Sequence, residues 1–401
     1  MGKGAAGCAF SPVIPCANGT TFPNGTVGKV IQDSHDSQIE WDISVNVNAA
    51  DPGRVYTNTP LGQCKVLRSK IMEVEPEFEK CREILKPDSV VFPQIVYPHK
   101  GVALNNIDLV TTDMFAKANF PGIVHLANGI AMLSRNKIAH MDLKLDNIIR
   151  MSDNKLIMID FGLSTRFDKF YSDENGMLTP DYFAFPPEFK IFNVFVSGMW
   201  MGRDDMHPWL PESSKVDLTN IDKLATYMKK KTLQTMLVGD EFLNTLFPKF
   251  GFTMRERNEQ IKAVFKRLLK NGLPDPNVSV NTHTFESDMN KYVNRVDVYA
   301  FGIAMLMMYL ESPVMKKPPT PFSTRCAEII KSCIHSDPLA RPTPDELATS
   351  LASAYDDAYN IGTSKPVSQT TGGRARRSTK NASPSTLRSS SRRSTSKQQK
   401  K

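Results

Sequence analysis

Ile138-Ala-His-Met-Asp-Leu-Lys-Leu-Asp-Asn-Ile-Ile149 and, shortly after it, Leu156-Ile-Met-Ile-Asp-Phe-Gly-Leu-Ser164 decide how this chain is read. The first segment sets Asp142, Lys144 and Asn147 in a polar loop between apolar flanks. The second ends an apolar strand on Asp160, followed at once by Phe161 and Gly162. A carboxylate at a strand end beside a flexible glycine suits a hard cation, which takes oxygen ligands. A second carboxylate, with an amide oxygen a few residues on, can orient a hydroxyl and serve the same metal cluster. Such a set fits phosphoryl transfer, where catalysis is mainly positioning and charge neutralisation.

The two segments resemble the H-R-D-x-x-x-x-N and D-F-G motifs of protein kinases, in the family's order and separation. The resemblance implies Asp142 as the catalytic base that takes the substrate hydroxyl proton. It implies Asn147 and Asp160 as magnesium ligands, and Lys144 as the lysine with which Ser/Thr kinases meet the transferred phosphate. Phe183-Ala-Phe-Pro-Pro-Glu188 is similar to the A-P-E motif, and Asp297-Val-Tyr-Ala-Phe-Gly302 to the start of a long buried helix whose Asp braces the catalytic loop. Asp337-Pro-Leu-Ala-Arg-Pro342 resembles the late motif whose Arg341 would pair with Glu188. The matches extend over most of residues 1–355. They imply an α+β, two-lobed kinase-like fold, ATP and Mg²⁺ as cofactors, and protein Ser/Thr hydroxyls as substrates.

The N-terminal stretch fills in the nucleotide side. Gly2-Lys-Gly-Ala-Ala-Gly7 reads as G-x-G-x-x-G, in which Gly2, Gly4 and Gly7 let the backbone approach phosphates. It comes so early that the strand before it is short or begins upstream. N-myristoylation at Gly2 is the competing reading, and Ala6 stands where Ser or Thr is wanted. Lys29, between apolar residues of a strand, is the expected ATP lysine, with Glu40 as its helix partner and Asp42 as the alternative. Phe92 to Gly101 resembles the strand leading to the interlobe hinge, where backbone groups around Tyr97 to His99 would meet adenine.

Departures from the family are informative. Met141 stands in place of the H-R-D arginine, which implies activity without an Arg–phosphate switch. Thr179 to Tyr182 gets no role. More than a hundred residues separate Phe189 from Val296, implying a folded insertion at about 190–295. That insertion, the G-K-G-x-x-G-C opening, the Pro/Asn/Gly-rich segment before Lys29 and the Pro-Pro-Glu ending resemble kinases of large DNA viruses of the giant-virus type. A pseudokinase scaffold and a small-molecule phosphotransferase are the rival readings. Retention of Lys29, Asp142, Asn147 and Asp160 disfavours the first. Lys144 and Pro-Pro-Glu disfavour the second.

Charge separates the body from its end. The 401 residues carry 50 Lys+Arg and 42 Asp+Glu, but residues 362–401 hold 11 of the basic side chains and none of the acidic ones. The body is thus close to neutral, which excludes a compact basic DNA-binding domain. The Ser/Thr/Arg-rich tail reads as disordered, able to contact nucleic-acid phosphates without specificity. The expected division is residues 1–97 as a small lobe, 98–361 as a large lobe with the insertion, and 362–401 as tail. The longest apolar run, Val298 to Leu310, is shorter than the roughly 20 residues a bilayer needs, so it reads as a buried helix with no membrane role. No signal peptide is visible. The six cysteines lack C-x-x-C pairs and are read as reduced thiols, with neither a zinc site nor a disulfide framework. These features give an intracellular monomer, in host cytoplasm, nucleus or virion.

Overall fold

Strand β3 (Val27–Ile31) alternates its faces, and the sheet around it is built on that alternation. Val27, Lys29 and Ile31 look one way, and Gly28 and Val30 the other. The structure, a computed structural model, describes residues 2–3, 7–32, 34–74, 81, 89–98, 101–169, 186, 246–251, 253, 255–256 and 292–359. Strands β1 (Gly2–Lys3), β2 (Gly7–Phe10), β3, β4 (Gly62–Leu67) and β5 (Val91–Tyr97) form an antiparallel sheet in the order β1-β2-β3-β5-β4. Lys29 lies opposite Ile95, and Val27 opposite Tyr97.

Helix α1 (Ser34–Ala50) covers the face that carries Lys29. Here Ile31, Ile95 and Tyr97 pack with Trp41. The other face carries Cys8, Phe10, Val30, Val66 and Phe92, joined by Ile14 from the β2–β3 loop and Ile71 from α2 (Arg68–Val74). Gln94 is fully buried on this face. Its amide takes Ile14 N–H at 3.2 Å and donates to Ile14 O at 2.9 Å, so it stitches the loop to the sheet. A Cβ at position 28 would lie 2.3 Å from the Gln94 oxygen, so a larger residue there would displace the Gln94 amide from Ile14.

Four cysteines form bonds across this face: Cys8 to Cys81, and Cys16 to Cys64. The expectation of six reduced thiols is therefore corrected, and with it the premise that placed the chain in a reducing compartment. The partners are 73 and 48 residues apart in sequence and meet only because the sheet brings them together, so local spacing gave no signal. Cys326 and Cys333 remain as buried thiols, each pushed up to about 12 by burial.

The link between α1 and the rest of the chain is a capped turn. Asp51 accepts N–H groups from Val55, Tyr56 and Thr57 at 2.8–3.0 Å. Tyr56 and Asn58 then pair with Met158 at 3.0 and 2.8 Å. Met158 belongs to β9 (Leu156–Met158), in a small sheet with β8 (Ile148–Arg150) and β6 (Val102–Ala103). A further pair, β7 (Ile138–Ala139) and β10 (Thr165–Arg166), brackets the loops between them.

Beyond this lies a helical core. Asp113, at φ 24, separates the short α3 (Leu109–Thr112) from α4 (Phe120–Arg135), which carries Pro121 in its first turn. Helix α5 (Val296–Glu311) is buried along most of its length, as its unbroken apolar run implied. Helix α6 (Pro321–Cys333) opens on a Thr320–Ser323 capping box. In α7 (Pro344–Tyr359) Glu346 reaches back to Thr343 N–H at 2.7 Å. Leu246, Phe247 and Phe250, from within the expected insertion, are buried in this core. Most of the expected insertion lies outside the described residues. The chain divides into units Met1–Ile361 and Gly362–Lys401, the second outside the described residues. Mixed strands and helices fit the expected α+β class, and among the described residues no helix is long and apolar enough to cross a membrane.

The sulfur bonds have a direct check. Alkylation of the unfolded chain without reductant should label two cysteines, and after reduction six. Breaking each bond should lower unfolding stability by about 2–4 kcal/mol in urea titrations.

Candidate functional site

Lys29 projects from β3 under α1, and its ammonium meets two carboxylates. Nζ lies 3.0 and 2.8 Å from the Glu40 oxygens and 2.8 Å from Asp160 Oδ1. Helix phase explains why Glu40 is the partner and Asp42 is not. Two residues turn about 200° around a helix, so Asp42 faces outward, where it takes a bond from Gln38 at 2.7 Å. Burial pulls the Lys29 ammonium down, but the two carboxylates more than reverse this and raise it, so it stays charged. Burial alone would push Asp160 up; Lys29 holds it below the usual carboxylate range. Glu40 is raised by burial, with Lys29 pulling against that, and the Tyr97 hydroxyl bonds to Glu40 Oε1.

Asp160 follows β9 and takes φ 62, and Met141 takes φ 66. Left-handed backbone costs a non-glycine residue about 1–2 kcal/mol, so something must hold both. For Met141 the holder is Asp297 at the start of α5. Its carboxylate accepts His140 N–H at 2.7 Å and Met141 N–H at 2.9 Å, in a buried setting that raises it. Ser164 adds a bond to His140 O at 2.9 Å. The His140 ring sits 4.9 Å from the Phe161 ring and bonds Ile159 O at 3.0 Å.

Asp142 sits in the loop so braced. Lys144 Nζ is 3.1 and 3.0 Å from its carboxylate oxygens. Asn147 Nδ2 donates to the Asp142 carbonyl at 2.9 Å and to its carboxylate at 2.7 Å. The loop is tied to the Asp160 segment through Asn147 O, which accepts Ile159 N–H at 3.0 Å, and through the β8–β9 ladder. Asp142, Lys144 and Asn147 thus form one cluster and Lys29, Glu40 and Asp160 another, joined through residues 140, 159 and 161. Asp160, with a side chain 37% exposed, and the Asn147 amide are hard oxygen donors of the kind Mg²⁺ takes. Among the described residues no group of three His, Cys, Asp or Glu forms a metal cluster, so any ion here would complete its shell with water or phosphate.

The glycine-rich turn is partly in view. Gly2 pairs with Ala9 and Gly7 with Ile31 across the β1-β2-β3 edge. Gly7 also has a packing reason, since a Cβ would lie 2.5 Å from Val30 O. Gly4, His99 and the proposed Glu188 partner of Arg341 lie outside the described residues. Arg341 itself bonds His335 O at 2.6 Å and stacks over Tyr299. Sequence reading missed the Tyr97 hydroxyl, and only its tertiary partner reveals it. Met141, at 2% exposure, is packed into the core as an apolar residue.

Residues 110–189 match the family model described as protein kinase domain. No curated protein matches the chain. The match supports a protein kinase, with phosphotransfer to protein substrates, and fits the α+β content of the fold.

The brace invites a test. Asp297→Ala leaves two buried N–H groups without an acceptor and should cost about 2–4 kcal/mol in urea unfolding. Asp297→Asn keeps one oxygen acceptor and should recover about half of that.

Proposed function

We propose that the chain is a Ser/Thr protein kinase using ATP and Mg²⁺. The observation that carries this is the joining of two ion-paired clusters through the His140–Ile159–Phe161 contacts. Lys29, held charged by Glu40 and Asp160, takes the ATP phosphates. Asp160 and Asn147 hold Mg²⁺, which neutralises phosphate charge when bound. Asp142 orients the substrate hydroxyl and accepts its proton as the γ-phosphoryl group leaves ADP for the hydroxyl oxygen. Lys144, on the Asp142 carboxylate, faces the same exchange and supports Ser/Thr specificity through its likeness to the Asp-x-Lys of those kinases. The glycine-rich turn at Gly2, Gly4 and Gly7 covers the phosphates, and backbone groups at Tyr97 to His99 meet adenine.

The pseudokinase reading is the weaker one. A scaffold has no need of four polar groups held at 2.7–3.0 Å. The likeness to kinases of large DNA viruses supports a viral source, with action in host cell or virion as a monomer. The basic tail supports salt-dependent contact with nucleic acid.

Purified protein should label a mixed protein substrate from γ-labelled ATP and Mg²⁺. Asp142→Asn should lower that rate by about 10²–10⁴-fold while keeping nucleotide binding. Equal labelling by both proteins would overturn the assignment.

A further inference from the structure

Tyr97 closes β5 directly across from Val27, so its ring falls on the sheet face that carries Lys29 and packs against α1. Its hydroxyl is buried and bonds Glu40 Oε1, the same oxygen that lies 3.0 Å from Lys29 Nζ. Glu40 is only 3% exposed, so no solvent shell compensates its charge. A buried carboxylate that loses a donor is left with its own desolvation cost uncompensated.

Lys29 has two demands on it. In the structure it serves Glu40 and Asp160 together. On the reading that Lys29 takes ATP phosphates, those oxygens compete for the same ammonium. Glu40 would then lose part of its compensation at the moment it must keep Lys29 aimed. Tyr97, whose bond to Glu40 is independent of the phosphates, remains. We infer that Tyr97 is a positioning residue for the nucleotide: its hydroxyl holds Glu40, and through Glu40 the Lys29 ammonium, in place while phosphate binds. Three elements, β3, α1 and β5, thereby converge on one carboxylate. The inference rests on the assignment of Lys29 to ATP and adds a residue expected to act only through its backbone.

The titratable groups facing Glu40 are Lys29 from β3, Asp160 from the segment after β9, and Tyr97 from β5. Burial raises Glu40 in the folded state. The stability tied to this group is therefore full below its unfolded value and falls as pH rises through the folded value. Removing the hydroxyl donor raises Glu40 further and deepens the loss at high pH.

The test uses the full chain as wild type, Tyr97→Phe, Glu40→Gln and the double variant. Unfolding midpoints are measured, with affinity for a non-hydrolysable ATP analogue plus Mg²⁺. Tyr97→Phe should be destabilised and should bind the analogue about 3–10-fold more weakly. Neither effect should persist in the Glu40→Gln background. A loss equal in both backgrounds would mean that the ring only fills space, and would overturn the inference. Wild-type protein that binds the analogue with this pattern but phosphorylates nothing would leave Tyr97 in its role and sink the kinase reading. Wild-type protein that binds no analogue would overturn the nucleotide role, and the midpoints in the two backgrounds would still decide whether Tyr97 braces Glu40.

Discussion

Three elements of this fold meet on one ammonium group. Lys29 Nζ is shared by Glu40 of α1 and Asp160 of the loop after β9. Buried charges are tolerated only when paired, so the positions of sheet, helix and loop are not independent. Moving any one of them strands a charge. The same constraint explains why the α1-to-β4 turn is so heavily bonded. Asp51 fixes its start and Met158 fixes its end, so α1 and β9 are held in register while Glu40 of α1 and Asp160, which follows β9, meet at Lys29.

A second constraint acts on the loop that carries Asp142. Left-handed backbone at Met141 needs support, and the buried Asp297 carboxylate supplies it with two N–H acceptances. Asn147 then fixes the Asp142 carboxylate from the other side. Strain held by surrounding structure is common at functional sites, and here Met141 is held by Asp297 and Asp160 is paired with Lys29. Past Gly162, Ser164 bonds His140 O and β10 pairs with β7, so that segment braces the same loop.

Much of this was legible in the sequence, for a physical reason. Asp142, Asn147 and Asp160 interrupt apolar stretches at spacings that no core-packing rule explains, so they stand out. The apolar run of α5 announced its burial, and β5 was visible from its β-branched and aromatic residues. What escaped was tertiary. The disulfides join residues far apart in the chain. Gln94 looks like any strand glutamine until Ile14 is placed against it. The choice between Glu40 and Asp42 depended on helix phase, and the Tyr97 hydroxyl had no partner until α1 was folded over the sheet.

The central claim is that the Lys29–Glu40–Asp160 cluster is a phosphate and metal site, and calorimetry reads this directly. ATP affinity is measured for wild type and Asp160→Asn, with Mg²⁺ and with EDTA. The account predicts that Mg²⁺ strengthens binding to the wild type by about tenfold or more and has little effect on Asp160→Asn. Equal ATP affinity with and without Mg²⁺ in the wild type would contradict it.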